Sequence, residues 1–374
     1  MTSEARADYR TRMFSLATTS RKEGHNRRVA ASPAPSRPPH RFPARPLLLL
    51  VVVVATLAST ASWASAQGSS ARVVATVGMI GDVAGELAAG CAEVATLMGP
   101  GIDPHLYQAT SGDVRDLGRA DLILYAGLTL EGQLGEVLAR FSERTPTLAV
   151  AEAAAGPAER IRTSSAYGVD PHVWMDASLW AGTVPVIADA LAAVAPDCAS
   201  GVRTRAAETE TTLLALHAWV AEAVATIPED RRVLVTAHDA FAYFGRAYGI
   251  QVAGIQGVST EAEPSIADIR ATARTIADAG VPAVFIETTI NPRTIQAVLD
   301  AAADLGHEAT LGGSLYSDAM GEPGTPEGSY VGMLRANTVA IVTALGGRVP
   351  PLPEALRPWA ERYGVPMDLA GEAP

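Results

Sequence analysis

Between Pro196 and Pro228 the chain carries no proline and a single glycine, Gly201. Ala, Leu, Glu and Thr dominate the interval, and Asp197 stands where a helix N-cap belongs. The interval predicts one helix over residues 197–227, about 45 Å long at 1.5 Å rise per residue. A helix of that length is too long for one small lobe and is expected to run as a strut between two. It divides the rest of the chain into an N-terminal and a C-terminal part.

Both parts show the same pattern. Short apolar, β-branched runs at 73–77, 94–98, 122–126 and 147–150 alternate with helical spacing at 79–89, from Ser111 onward, at 131–141 and at 177–194. After Pro228, strands are expected at 233–236, 250–255, 283–287 and 309–311, and helices at 241–248, 266–279, 293–304 and 330–345. Continuous apolar strands alternating with helices argue for parallel sheets covered on both faces. The fold class is therefore α/β, with two lobes, each a small parallel sheet flanked by helices, joined by one long rigid helix. The lobes are expected at 67–195 and 229–346, with the linking helix at 196–228. Residues 347–374 hold Pro350, Pro351, Pro353, Pro358, Pro366 and Pro374 and read as a loosely ordered tail with a helical turn or two.

Residues 1–66 differ in kind. The first 46 carry ten basic residues and three acidic ones, the apolar run 47–57 comes next, and small residues lead to Ala64-Ser65-Ala66. That order of basic, apolar and small-residue regions reads as a secretory signal peptide. The apolar run is too short for the ~20 residues of a spanning helix. No cysteine stands directly after it, which argues against a lipid anchor, and Arg27-Arg28 lies too far upstream for a twin-arginine signal. Localisation is then expected to be periplasmic. Removing the leader's +7 from the whole-chain −11 leaves −18 from Gln67 onward, with no lysine. Such a surface disfavours nucleic acid and anionic membrane and suits a cation ligand. Export makes a disulfide between Cys91 and Cys198 chemically allowed, but their distance is not readable from sequence.

Five histidines remain after the leader: His105, His172, His217, His238 and His307. His105 and His172 both end the tripeptide Asp-Pro-His, at 103–105 and 170–172. Proline restricts its own φ and pushes the preceding residue to extended backbone, so each tripeptide is a stiff corner presenting an imidazole. His105 and His238 come after strands, and His172 sits in a comparable loop, the places where open parallel sheets bind ligands. His217 lies mid-strut and reads as an exposed helix residue; His307 comes after Gly306 at a helix end, where an imidazole caps carbonyls. Three imidazoles, two from the first lobe and one from the second, need one carboxylate to complete a divalent-metal site. Asp318 and Glu287 both qualify on position. Such a donor set suits Zn2+ and is acceptable to Mn2+. Neither cysteine is placed to be a ligand.

The chain resembles the solute-binding proteins of zinc/manganese-type metal ABC transporters over about residues 72–347. The motifs carrying the resemblance are Gly101-Ile102-Asp103-Pro104-His105 with Tyr107, Asp170-Pro171-His172-Val173-Trp174-Met175-Asp176, Val235-Thr236-Ala237-His238-Asp239-Ala240-Phe241-Ala242-Tyr243-Phe244, Gln256-Gly257-Val258-Ser259-Thr260-Glu261 and Leu315-Tyr316-Ser317-Asp318-Ala319-Met320-Gly321. The resemblance implies a metal held between the lobes by His105, His172, His238 and Asp318, so it selects Asp318 over Glu287. It implies a periplasmic receptor, a monomer, that delivers Zn2+ or Mn2+ as transported ligand to an ABC permease in the inner membrane. It implies no catalytic residues. The His-rich acidic loop of many zinc-specific members is absent here, and His238 stands where many manganese-specific members have Glu. Zn2+ versus Mn2+ therefore stays open. The opposing readings are a zinc-dependent hydrolase and a metal-binding surface adhesin; a filled fourth position and the lack of a His-Glu-x-x-His pair weigh against the hydrolase. Asp103 and Asp170 are expected to shape turns or orient groups behind the site, and Trp174 to pack. Affinity is expected to fall as pH drops through about 6 to 5, where free imidazoles protonate.

Overall fold

Strands β1 (Ala71–Ala75), β2 (Ala92–Thr96), β3 (Leu122–Tyr125) and β4 (Thr147–Ala149) pair in parallel in the order β2-β1-β3-β4. The computed structural model describes residues 70–164 and 168–368, and the leader assigned to 1–66 lies outside them. The inner strands β1 and β3 are the most apolar, and Val73, Val74, Leu122, Ile123 and Leu124 are buried. Edge strand β2 leaves Glu93 in solvent. Around this sheet lie α1 (Gly78–Ala88), α2 (Ser111–Leu117), α3 (Leu134–Ser142), α4 (Val150–Ala154), α5 (Ala177–Ala181) and α6 (Thr183–Val194). The single helix expected at 177–194 is broken into α5 and α6 at Gly182. Pro185 has no N–H to give the Ala181 carbonyl, so the hydrogen-bond ladder lapses there.

The strut is α7 (Ala199–Ala225), 27 residues long, or about 40 Å. It is preceded by a 3-10 turn, Pro196–Cys198, so Asp197 does not cap it. Its buried residues Val202, Ala206, Leu213, Leu216, Val220, Ala223 and Val224 lie at helical spacing along one face. That face packs on α1, α5 and α6 of the first lobe and then on elements of the second. Cys91 and Cys198 form a disulfide with 5.9 Å between Cα atoms. It ties the end of α1 to the turn that opens the strut. Arg205 adds to this joint by donating to the Leu87 carbonyl at 2.8 Å.

The second lobe holds β5 (Val233–His238) paired in parallel with β6 (Gln251–Gln256), and β7 (Ala283–Glu287) paired in parallel with β8 (Thr310–Leu315). Strands β5 and β7 lie side by side, so the two pairs share one layer. Helices α8 (Ala242–Tyr248), α9 (Ile266–Ala279), α10 (Arg293–Asp304) and α11 (Tyr330–Ala344) flank them. Strand β8 is longer than the expected 309–311 because Gly312 continues it. A side chain at Gly312 would meet the Phe285 ring at 2.6 Å, so its absence is what lets β8 lie against β7. One face of this layer buries Val235, Ile276, Val284, Ile295 and Val298 in a core of its own. The other face joins the large core that runs through the strut into the first lobe, where Phe241, Phe244, Phe285 and Leu315 meet it. The lobes are thus welded through shared apolar packing, and the described residues belong to one compact unit.

The segment after Gly347 is packed, contrary to the expected loose tail. Its prolines stop helices but do not prevent docking. Leu352, Leu356, Trp359 and Ala360 are buried, and α12 (Arg357–Tyr363) forms within it. The Trp219 indole of the strut donates to the Pro350 carbonyl at 3.0 Å, and Trp359 donates to Ser329 Oγ at 2.8 Å. Arg362 makes two bonds, of 2.7 and 2.9 Å, to Glu86 of α1.

Candidate metal centre

Three loops and the end of β5 bring His105, His172, His238 and Asp318 together. One donor atom from each lies within 4.8 Å of the others, and all four residues are buried. The Nε2 atoms of His105 and His238 each stand 3.4 Å from His172 Nε2. Asp318 Oδ1 is 3.2 Å from His172 Nε2, and its Oδ2 is 3.2 Å from His238 Nε2. Four nitrogen and oxygen donors aimed at one point, without solvent, make the arrangement that borderline divalent cations prefer.

Local chemistry sets the aim of each of these side chains. In the first corner Asp103 Oδ1 accepts the His105 backbone N–H at 2.9 Å, and in the second Asp170 Oδ1 accepts that of His172 at 2.9 Å. Both are Asx turns, which explains why the tripeptide recurs. Asp170 Oδ1 also lies 2.7 Å from His172 Nδ1. Asp103 instead takes the Thr260 hydroxyl from the second lobe at 2.6 Å. Tyr107 donates to Asp113 at 2.7 Å, and Asp113 completes a capping box with Thr110, so the His105 loop is anchored on the start of α2.

Glu287 is not part of the cluster of four. It sits behind His238, with Oε1 accepting the His238 N–H at 2.8 Å and Oε2 2.5 Å from Nδ1. A carboxylate on Nδ1 leaves Nε2 free to face the centre, which is how histidine ligands are usually oriented. Glu287 and Asp170 therefore do equivalent work on opposite sides of the cleft. Position at a strand end was Glu287's sequence signal. Its pairing partner was not visible, because β5 and β7 lie far apart in sequence.

Trp174 is fully buried and does more than pack. Its ring edge meets His172, and its indole donates to the Ser317 carbonyl at 2.8 Å, one residue before Asp318. Tyr243 donates to the Asp170 carbonyl at 3.0 Å, a link that no local sequence signal announces. His217 is half-buried rather than exposed, with Nδ1 3.3 Å from the Tyr248 hydroxyl. His307 meets the Val281 carbonyl at 2.8 Å, in the turn before β7, rather than a carbonyl of its own helix.

The electrostatics arise from burial and these neighbours. Burial pushes the His105 imidazole down to about 3, so it is neutral. For His172 burial acts the same way, but Asp170 and Asp318 outweigh it and lift the ring to about 9. Burial likewise opposes charge on His238, yet Glu287 and Asp318 raise it well above the usual imidazole range. Burial would raise Asp318, but His238 and His172 hold it well below the usual carboxylate range. His172 and His238 thus favour the protonated form, and any cation bound between them would compete with those protons.

Residues 73–344 match the family described as zinc-uptake complex component A, periplasmic. The chain belongs to this family. It is 42% identical over 303 residues to the manganese-binding lipoprotein MntA of Bacillus subtilis, covering 80% of this chain and 98% of that one. It is 45% identical over 273 residues to the zinc-binding protein TroA of Treponema pallidum, covering 73% and 88%. The solved periplasmic zinc-binding TroA superposes with a TM-score of 0.73 at 44% identity, covering 75% of this chain and all of that one. The family consists of solute-binding components of metal-uptake ABC transporters. The α/β architecture with its long helix is the one this chain shares with the TroA structure.

Proposed function

We propose that this protein captures a divalent transition-metal ion, Zn2+ or Mn2+, on His105, His172, His238 and Asp318, and hands it to an ABC permease for uptake. The observation that carries the reading is the convergence of four buried donor atoms within 4.8 Å, in a chain whose relatives include both a zinc-binding and a manganese-binding protein. Two of the imidazoles carry a carboxylate on Nδ1, which raises their basicity toward a cation. The ion is cargo: it exchanges for protons on entry and leaves unchanged, so no bond-making residue is required. Asp318 stands as a fourth donor where a catalytic zinc would keep one position open to water. The reading extends to a monomer acting in the periplasm; with Cys91 and Cys198 bonded to each other, neither thiol is left for lipid attachment. The continuous core through the strut favours small lobe displacements on binding.

The test is metal analysis of protein purified without added metal, then Zn2+/Mn2+ competition calorimetry. One equivalent of metal per chain is expected. His172→Ala and His238→Ala should each abolish tight binding; wild-type affinity in both would refute the site. Loss of metal uptake on gene deletion separates transport from adhesion.

A further inference from the structure

The loop between β3 and α3 contains the only two non-glycine residues with positive φ among the described residues, Leu128 (54°) and Thr129 (69°). Gly127 (81°) and Gly132 (43°) flank them. Left-handed backbone at a leucine and a threonine is unfavourable and persists only where the surroundings impose it. Here two carboxylates impose it. Glu131 is 2% exposed. Its Oε1 accepts the Ala126 N–H at 2.5 Å and the Thr76 hydroxyl at 2.9 Å, and its Oε2 accepts the Gly127 N–H at 3.1 Å. Glu152 accepts the Leu128 N–H at 2.8 Å.

The loop presses on the metal centre from behind. A Cβ built on Gly132 would stand 2.5 Å from the His105 carbonyl oxygen and 3.9 Å from its Cα. Backbone thus rests on backbone with no room for a side chain. The other end of the pin reaches the opposite lobe. Two residues past Thr76, Gly78 abuts Met320, whose Cε would lie 3.1 Å from a Cβ there; Met320 is two residues past Asp318. The Glu131 carboxylate therefore joins the wall behind His105 to Thr76, in the turn between β1 and α1, and the first residue of α1, Gly78, touches the Asp318 loop.

We propose that Glu131 is a positioning residue for the metal centre: by holding the left-handed loop 127–132 onto Thr76, it sets the place of His105 relative to Asp318. This rests on the reading of the four residues as metal ligands. Glu131 touches neither the ion nor a ligand side chain, and its effect passes through the His105 backbone. In Glu131→Gln the amide NH2 faces either the Gly127 N–H or the pair Ala126 N–H and Thr76 hydroxyl, so at least one donor loses its acceptor and the loop relaxes. Gly132→Ala displaces the His105 carbonyl directly.

The experiment measures Zn2+ affinity by competition with a chromophoric chelator, and metal-free thermal stability by circular dichroism, on the full mature chain. Variants are Glu131→Gln, Gly132→Ala, Thr76→Val, Thr76→Ser, and Asp121→Asn as a control carboxylate that accepts an exposed N–H of Arg72. Glu131→Gln, Gly132→Ala and Thr76→Val are expected to lose about 10–100-fold in affinity, as for other residues that orient ligands. Thr76→Ser keeps the hydroxyl and should restore binding; Asp121→Asn should bind as wild type. Should Glu131→Gln fail to fold, Gly132→Ala and the Thr76 pair carry the comparison. Wild-type affinity in Gly132→Ala and Thr76→Val overturns the proposal while leaving the metal reading intact, as does a loss in Thr76→Ser equal to that in Thr76→Val. Failure of the wild type itself to bind Zn2+ or Mn2+ overturns both.

Discussion

Glu287→Gln is the substitution for which the structure gives the sharpest expectation. The wild-type carboxylate accepts two N–H groups of one residue, the His238 main chain at 2.8 Å and Nδ1 at 2.5 Å, with Glu287 only 3% exposed. An amide offers one oxygen, so one of the two donors must face an NH2 group. The kept bond also changes from charge-assisted to neutral, which roughly halves its strength. Leaving a buried donor unmet costs about 1–3 kcal/mol of folding stability. Toward metal, loss of the orienting carboxylate should weaken binding about 10–100-fold, or ~1.4–2.7 kcal/mol. Two effects compete at neutral pH, because Glu287 also raises the proton affinity of His238. At higher pH proton competition fades while the lost basicity remains, so the deficit should grow with pH. Chelator-competition titrations at pH 7 and 9 measure this, with urea melts of the metal-free protein for stability. A Kd equal to wild type at both pH values would refute the assignment of Glu287 as the group that aims His238.

The remaining expectations concern protons, the disulfide and the C-terminal segment. Because His172 in the metal-free protein is lifted to about 9 and His238 well above its usual value, their contribution to stability is complete below pH ~6.5. The His172 part is lost as pH rises through about 9 and the His238 part as pH rises through its own raised value, so metal-free stability should fall with rising pH while metal affinity rises. Calorimetry in buffers of different ionisation enthalpy should detect proton release on metal binding at pH 7, and its absence would contradict the charge state described. This moves the pH-sensitive window upward from the 6-to-5 range that free imidazoles imply. Replacing Cys91 and Cys198 by Ser opens a loop of sequence separation 107 and should cost up to about 4–5 kcal/mol of stability in denaturant melts, with metal affinity retained. Trp359→Ala, which empties a buried site (7% exposed), should cost about 3–5 kcal/mol in the same melts. Arg362→Ala, whose pairing with Glu86 is about half exposed, should cost less than ~1 kcal/mol.

Much of this protein is local enough to be read from sequence. The strut needs only the absence of proline between Pro196 and Pro228, and α9, β7 and α10 occupy the expected residues because caps and apolar spacing are short-range signals. The Asp-Pro-His corners are likewise local: each Asp grips an N–H two residues on. What the residues alone left open was any choice that depends on distance across the fold. Asp318 and Glu287 were equivalent by position, and only family resemblance separated them. The tertiary structure gives the physical reason: β7 lies beside β5, so Glu287 is drawn behind His238, while Asp318 reaches the centre from a loop beyond β8. The Cys91–Cys198 bridge, the docking of Trp359 and the Thr76–Glu131 contact are of the same kind. Their partners are separated by tens to hundreds of residues, and no local pattern encodes which of them meet. Sequence alone determined the elements and the histidine corners; tertiary packing decided which carboxylate faces the centre and which stands behind it.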